Sequence, residues 1–158
     1  MAESRWLVLT WRLPSESSTP RVMTWRTLRR LGAVLLTPGA AVVPYGEDLL
    51  EQLDWLAQSI EDAGGDAWVL PVQRLSEREE AAIRERMRGA RESEYETLAA
   101  QARRVPSKTR SRAGLARLRR ERALGALDRR LRSVETRDHF HAPGKRAAAR
   151  VIDEARAR

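Results

Sequence analysis

The residues with the clearest chemistry in this sequence are the basic side chains that crowd its last third. The segment from Val105 to Arg122 contains a single acidic residue, Glu121. Guanidinium and ammonium groups bind phosphate oxygens, and a basic loop that leads into a helix adds backbone N–H groups and the helix dipole. We therefore predict that nucleic acid contacts eight side chains: Arg103, Arg104, Lys108, Arg110, Arg112, Arg117, Arg119 and Arg120. The alternative is that this segment is a solvated surface of an arginine-rich sequence.

The charge along the chain is distributed unevenly. The 158 residues include 30 Lys and Arg against 22 Asp and Glu, a net charge of +8. Residues 1–74 carry 7 Arg and 9 acidic residues, whereas residues 105–158 carry 16 basic and 6 acidic residues, a net charge of +10. A positive excess confined to one segment favours a polyanionic partner, most often nucleic acid.

Other residue patterns that carry chemistry are weak. His139 and His141 have the spacing of a chelating pair, but zinc sites need three or four protein ligands and no others converge in the sequence. The acidic residues between Glu47 and Asp54 are expected to form a solvated helix face, since nothing indicates a desolvated carboxyl group. We predict that neither histidine binds a metal that folding requires.

Several reaction classes lack their residues altogether. The sequence has no cysteine, which excludes disulfides, thiolate metal sites and thiol redox chemistry. It has neither a glycine-rich phosphate loop nor a nucleophile elbow. We therefore predict no catalytic residue, no metal and no cofactor, and we expect that the protein is not an enzyme.

The order of elements in the first 74 residues fits one known architecture. Period-two alternation predicts strands, and apolar residues at spacings of three and four predict helices. The predicted strands are 5–13, 33–36, 41–44 and 67–72, and the predicted helices are 19–31 and 47–63. This order predicts an α+β fold of the ferredoxin-like βαββαβ type, with both helices on one face of the sheet.

The first strand is apolar on both of its faces. Its two sides consist of Trp6, Val8 and Thr10 against Leu7, Leu9 and Trp11. We therefore expect both faces of the sheet to be buried. Because the first two helices cover one face only, the C-terminal helices or a second subunit should cover the other.

Local signals add detail to this domain. The sequence Thr37-Pro38-Gly39-Ala40 is typical of a type II turn, and Pro71 indicates that the last strand lies at an edge. The five tryptophans are expected to pack in the core. The first helix should bury Val22, Trp25, Leu28 and Leu31.

Residues after 74 are predicted to be helical. Ser76 and Glu79 form a capping box that opens a helix to about Arg104, followed by helices at 112–134 and 145–156. The apolar stripes of the first two are Ile83, Met87, Ala90, Tyr95 and Leu98, and then Leu124, Leu127, Leu131 and Val134. We divide the chain into a ferredoxin-like domain, residues 1–74, and a C-terminal α-helical region, residues 75–158, that is basic and packs on it.

Several short motifs, in their order and spacing, are those of a known family. They are Trp6-Leu7-Val8-Leu9-Thr10 with Leu13-Pro14, Arg21-x-x-x-Trp25-Arg26-x-Leu28, Leu31-Gly32-Ala33, Ala63-Gly64-Gly65, Arg91-Glu92-x-Glu94-Tyr95 and Arg137-Asp138-x-Phe140. From about residue 5 to 153 the chain resembles the N-terminal domain of ChrB, the chromate-resistance regulator. Its first 75 residues also resemble the central ferredoxin-like domain of PaaX-type repressors and the small CRISPR-associated ferredoxin-like nucleases.

The resemblance implies a DNA-binding regulator of a chromate-inducible operon in the bacterial cytoplasm. Full ChrB proteins carry a C-terminal domain associated with sensing, which this sequence does not include, so a separate sensor-domain protein is an expected partner. Thiol-based sensing of chromate is excluded by the lack of cysteine. The related nucleases hold a metal with an Asp at the end of the first strand, where this sequence reads Thr10-Trp11-Arg12-Leu13.

These observations lead to one expected function and two alternatives. We expect a cytoplasmic, DNA-binding transcriptional regulator of a chromate-resistance type operon that forms a homodimer and has no membrane-spanning segment. The first alternative is a non-enzymatic protein-interaction scaffold that dimerises through its sheet or helices. The second is a ferredoxin-like nuclease relative that lacks the metal-binding Asp.

Overall fold

The chain alternates strands and helices over its first half and is helical over its second half. The structure, a computed structural model, describes residues 5–16, 18–108, 110 and 114–158. The strands are β1 (Trp6–Arg12), β2 (Val34–Thr37), β3 (Ala40–Pro44) and β4 (Asp66–Val72). The helices are α1 (Ser18–Arg30), α2 (Glu47–Asp62), α3 (Glu77–Arg103), α4 (Gly114–Thr136) and α5 (Gly144–Ala157).

The chain divides into two compact units. We term residues 1–86 the N-terminal unit and residues 87–158 the C-terminal unit, so the division falls within α3. The packing of a basic helical region on the ferredoxin-like domain stays a prediction. None of the helices in the described part of the chain carries the long apolar stretch that a membrane crossing requires.

The four strands form one sheet with the order β2-β3-β1-β4. Every neighbouring pair is antiparallel, which makes β1 parallel to β2 and β3 parallel to β4 although neither pair is adjacent. This is the ferredoxin-like βαββαβ arrangement, and it confirms the fold class expected from the element order. The position of β4 at an edge agrees with Pro71, which has no N–H to give to a further strand.

The core of the N-terminal unit lies between one sheet face and the two helices α1 and α2. Leu7 and Leu9 of β1 are fully buried and belong to one cluster with Leu28 of α1 and with Leu53 and Ile60 of α2. Fully burying an aliphatic side chain stabilises a fold by about 1.5–3 kcal/mol. The alternation of β1 and the spacing within the helices therefore determine this half of the structure.

The buried side of α1 differs from the prediction. Leu28 and Leu31 are buried as expected, but Val22 and Trp25 are 46% and 48% exposed. Thr24 takes the buried position one turn before Leu28. Instead, the Arg29 guanidinium lies 5.2 Å from the centre of the Trp25 ring. The stripe was placed wrongly because Thr24 is polar and periodicity alone assigns the burial to its apolar neighbours.

The second sheet face is covered over part of its width. Trp6 is 1% exposed, and the Arg84 guanidinium in α3 lies 5.8 Å from the centre of its ring. Arg86 donates a hydrogen bond of 2.7 Å to the Leu35 carbonyl oxygen in the edge strand β2. The start of α3 therefore covers this face of the sheet at β1 and β2. This is the role that we predicted for the C-terminal helices.

At β4 the expectation of a buried second face is wrong. Trp68 and Leu70, which align with Thr10 and Val8 of β1, are 68% and 44% exposed. Trp55 on α2 is 72% exposed. The contacts of α3 with this face are to Trp6 of β1 and Leu35 of β2, away from Trp68 and Leu70. Together with Trp25 of α1, three of the five tryptophans therefore lie outside the core, against the prediction.

The β2–β3 turn is not the predicted type II turn. Type II geometry requires a positive φ at its third residue, and Gly39 does not have one. A Cβ atom at Gly39 would lie 2.7 Å from the Trp11 carbonyl oxygen, and the Trp11 N–H donates to the Gly39 carbonyl oxygen at 2.8 Å. Glycine is therefore required here by the close approach of the turn to β1.

The C-terminal unit is built from the second part of α3 together with α4 and α5. Its core includes Tyr95, Leu98, Leu124, Leu127, Val134, Val151 and Ile152. The stripe of α4 is the predicted one, with Leu131 half-buried beside it. In α3 the stripe passes through Arg91, which is 6% exposed, and not through Ala90, which is exposed.

The predicted capping box of α3 is confirmed, since the Glu79 N–H donates to Ser76 Oγ at 3.2 Å.

Arg91 is buried because it belongs to a charged group that joins α3 to the end of α4. Its Nη2 lies 3.0 Å from Glu94 Oε1, and Arg137 makes two contacts of 2.8 Å with the same carboxylate. Desolvation by burial lowers the pKa of Arg91. A buried charge of this kind is tolerated only with a partner, and Glu94 supplies it for both guanidinium groups.

A second buried polar group lies one turn further along α3. The Tyr95 hydroxyl, fully buried, donates to Asp138 Oδ2 at 3.0 Å, and the Ala142 N–H donates to the same carboxylate at 3.0 and 3.1 Å. Burial, and then the hydrogen bond to Asp138, raise the pKa of Tyr95 well above its ordinary value. These contacts fasten the connection between α4 and α5 to α3.

We predict that Tyr95→Phe lowers the free energy of unfolding by about 1–2 kcal/mol, because Asp138 loses a buried hydrogen bond. Tyr45→Phe is the matched control, since the Tyr45 hydroxyl donates to Glu47 at an exposed site, and it should cost less than about 0.5 kcal/mol. Urea unfolding followed by circular dichroism measures both. Equal losses from the two variants would contradict a special role for the buried contact.

The same contact predicts a pH dependence. Since folding raises the pKa of Tyr95, its contribution to stability is complete below the unfolded pKa of about 10 and is lost as the pH rises above it. Tyr95→Phe should therefore lose less stability than the parent between about pH 9 and pH 11, measured by the same unfolding experiment.

Candidate nucleic-acid interface

Five of the eight predicted contact residues come together in one cleft of the C-terminal unit. The cleft has a volume of about 730 Å³ and lies between the end of α3, the loop that follows it, the first half of α4 and the end of α5. Its basic residues are Arg103, Arg104, Arg110, Arg119, Arg120 and Arg158. No acidic residue of the described part of the chain lines it. We refer to it as the basic cleft.

The end of α3 is shaped by a helix-breaking residue. Pro106 cannot continue a helix, because it lacks the N–H and its ring clashes with the preceding turn. Val105, just before it, is buried in the core of the unit. The Lys108 N–H then donates to the Arg158 carbonyl oxygen at 2.9 Å, which holds the loop against the end of α5. Arg103 and Arg104 are thereby placed at the rim of the basic cleft.

Arg120 is held by the fold, so the alternative of a solvated surface does not hold for this residue. It is 8% exposed, and it donates to the carbonyl oxygens of Pro106 at 3.0 Å, Ala155 at 2.8 Å and Arg156 at 3.1 Å. The last two oxygens lie in the final turn of α5, where carbonyl groups lack helical partners and the helix dipole is negative. Arg120 therefore caps α5 and ties it to α4 and to the loop after α3.

Four other arginines of the basic cleft are exposed: Arg103, Arg104, Arg110 and Arg119. Within the described residues, none of their guanidinium groups is engaged by a carboxylate or a carbonyl oxygen. Positive groups gathered without a counterion create a local field that attracts anions. Guanidinium groups match the oxygens of phosphate in a bidentate way, so the arrangement can bind phosphate esters.

The remaining predicted residues are placed differently. Arg117 is exposed and pairs with Glu121 at 2.9 Å, and that hydrogen bond raises its pKa. The exposed Lys108 does not line the basic cleft, and Arg112 lies outside the described residues. Arg158 was missed by the sequence analysis, because no spacing rule connects it with a segment more than one helix away.

The histidines lie elsewhere in the C-terminal unit. His139 is half-buried, and His141 is exposed with a positive φ of 54°. In the parts of the chain that the structure describes, no three His, Asp or Glu side chains come together as a metal site would require. That neither histidine binds a metal needed for folding stays a prediction.

Comparison with known proteins identifies relatives of this chain. A family model described as "Protein ChrB, N-terminal" matches residues 21–158. Protein ChrB of Cupriavidus metallidurans is 37% identical over 82 residues, which is 52% of this chain and 25% of that protein. The match therefore spans a quarter of the length of this curated relative. No solved structure matches the chain.

The neighbouring residues Arg119 and Arg120 of α4 should differ in how much each contributes to the free energy of unfolding. We predict that Arg120→Ala lowers the free energy of unfolding by about 2–3 kcal/mol, because three carbonyl oxygens lose a charged donor. Arg119→Ala, one residue away and exposed, should stay within about 0.5 kcal/mol of the parent. Urea unfolding of both variants checks this. A small effect of Arg120→Ala would show that these hydrogen bonds do not hold α5.

Proposed function

The chain belongs to the family of ChrB N-terminal domains, and on that ground we propose that it is a DNA-binding transcriptional regulator of a chromate-resistance operon. The observation that carries the proposal is the basic cleft, where four exposed arginines lie together and the described lining residues include no carboxylate. In this proposal the protein works in the cytoplasm, binds DNA through the C-terminal unit and catalyses no reaction.

The proposed contact uses the cleft for the phosphate backbone. Arg103, Arg104, Arg110 and Arg119 would each neutralise phosphate oxygens, and such contacts fix the register of a protein on DNA without reading sequence. The first two turns of α4, residues 114–119, are exposed throughout and carry Arg117 as well. An exposed basic helix beside a phosphate-binding cleft has the form of elements that enter a DNA groove.

The nuclease alternative is disfavoured by the end of β1. Arg12 occupies the last position of this strand, and its guanidinium lies 2.8 Å from Asp66 Oδ2 at the start of β4. Asp66 is the register partner of Arg12, at the end of the strand where the related nucleases hold a metal with an Asp. A guanidinium on that carboxylate competes with a divalent cation for the same oxygens.

The salt dependence of DNA binding tests the proposal. Replacing Arg103, Arg104 and Arg119 together by Ala should flatten the slope of log affinity against log salt by up to about 2.7, at roughly 0.9 per lost phosphate contact. The fold should survive, because all three side chains are exposed. Fluorescence anisotropy with DNA from upstream of the protein's own gene, measured at several salt concentrations, gives this slope.

The matched control removes the same charge from the same unit. Arg129, Arg132 and Arg146 are exposed and do not line the basic cleft, so their triple replacement by Ala should change the slope by less than about one unit. If both triple variants lose affinity equally, binding depends on bulk charge. If the cleft variant binds as tightly as the parent at every salt concentration, the proposed site is wrong.

A further inference from the structure

Helices α1 and α2 carry opposite charges side by side in the N-terminal unit. α1 contains four arginines and no acidic residue, whereas α2 contains six acidic residues and no basic residue. The helices contact each other, yet among the described residues no ion pair joins them. The outer surface of the pair is therefore split into a positive half and a negative half.

An apolar groove follows the line between the two halves. It has a volume of about 430 Å³ and is lined by Met23, Thr27, Arg30, Glu51, Gln52, Trp55, Leu56 and Ser59. Met23 from α1 is 56% exposed and Trp55 from α2 is 72% exposed. Tryptophan, methionine and arginine are enriched in protein interfaces, and tryptophan and arginine are among the residues that contribute most of the binding energy. The groove has the composition of an interface core flanked by charge.

We propose that this surface is the interface between two copies of the chain. In a symmetric dimer the same patch meets itself, so a two-fold axis that runs along the groove, between the two helices, places α1 of each copy against α2 of the other. Arginines of one helix then face carboxylates of its counterpart, twice in the dimer. Trp55 and Met23 of both copies fill the centre, and Arg30 lies across from Glu51 of the other copy.

The charge arrangement selects a second copy over an unrelated partner. An unrelated protein would have to present a positive and a negative half in mirrored order around an apolar centre, and this chain presents that pattern itself. A uniformly charged partner such as DNA would be repelled by α2. The proposal is independent of DNA binding, since the groove and the basic cleft use different residues.

Charge reversal with mixing tests the proposal. The parent chain should sediment as a dimer in analytical ultracentrifugation. Arg30→Glu and Glu51→Arg should each raise the dimer dissociation constant at least about tenfold, because like charges then face each other at both symmetric positions. An equimolar mixture of the two variants should form a heterodimer, since opposite charges face each other again at both positions. Any contact within one chain stays unfavourable in the mixture, so recovery reports on the interface alone.

A matched pair of tryptophan variants tests the centre of the interface. Trp55→Ala should leave the chain folded and monomeric, because the side chain is exposed in a single copy. Trp68→Ala is the control, with a similarly exposed indole on β4, and should remain dimeric. The proposal is overturned by a parent chain that stays monomeric at concentrations on the order of 100 µM. It is equally overturned if mixing restores no dimer, or if only Trp68→Ala dissociates it.

Discussion

The arrangement of the basic cleft depends on one buried guanidinium group. Arg120 reaches from α4 to the last turn of α5 and to the loop after α3, and it gives each a hydrogen bond. These three segments carry the exposed arginines whose mutual repulsion would otherwise drive them apart. The unit therefore uses one arginine, neutralised by backbone carbonyl dipoles, to hold others in place. Among these arginines, the buried Arg120 holds the cleft together, and the exposed ones are available to bind anions.

Two of the short motifs that relate this chain to its family are explained by contacts within the C-terminal unit. In the motifs that begin at Arg91 and at Arg137, Glu94 pairs with both of these arginines, and Tyr95 donates to Asp138. Glu92 completes the set by accepting a hydrogen bond of 2.7 Å from the Gly144 N–H, at the start of α5. Motifs separated by more than forty residues thus form one polar assembly. Removal of one partner would leave the other charge without compensation, so these contacts hold α3, the end of α4 and the start of α5 together.

Much of the fold followed from the sequence because its signals are local and periodic. The alternation in β1 and the element order were enough for the sheet topology, and Ser76 with Glu79 were enough for the start of α3. The errors arose where a side chain behaved against its type. Thr24 and Arg91 are buried although they are polar, and Trp25 is exposed although it is apolar. Each position depends on tertiary neighbours that a periodicity count does not contain.

The candidate site shows the same limit. Composition located the basic segment, but the cleft itself depends on the packing of three helices. That packing places Arg158 beside Arg103, Arg104, Arg110 and Arg119, and it buries Arg120. The backbone conformation at Gly39 could not be predicted from the sequence either. The sequence pattern fitted a familiar turn, whereas the residue is glycine because another carbonyl oxygen lies too close for a side chain.

The contact of Arg86 with the Leu35 carbonyl oxygen also bears on the exposed edge of the sheet. Leu35 belongs to the outer strand β2, so the guanidinium occupies an acceptor that a foreign strand would otherwise use. At the opposite border Pro71 in β4 withholds a donor. Each border of the sheet thus interrupts the hydrogen-bond ladder that edge-to-edge aggregation needs. This interruption matters most at β4, where Trp68 and Leu70 are exposed beside the edge.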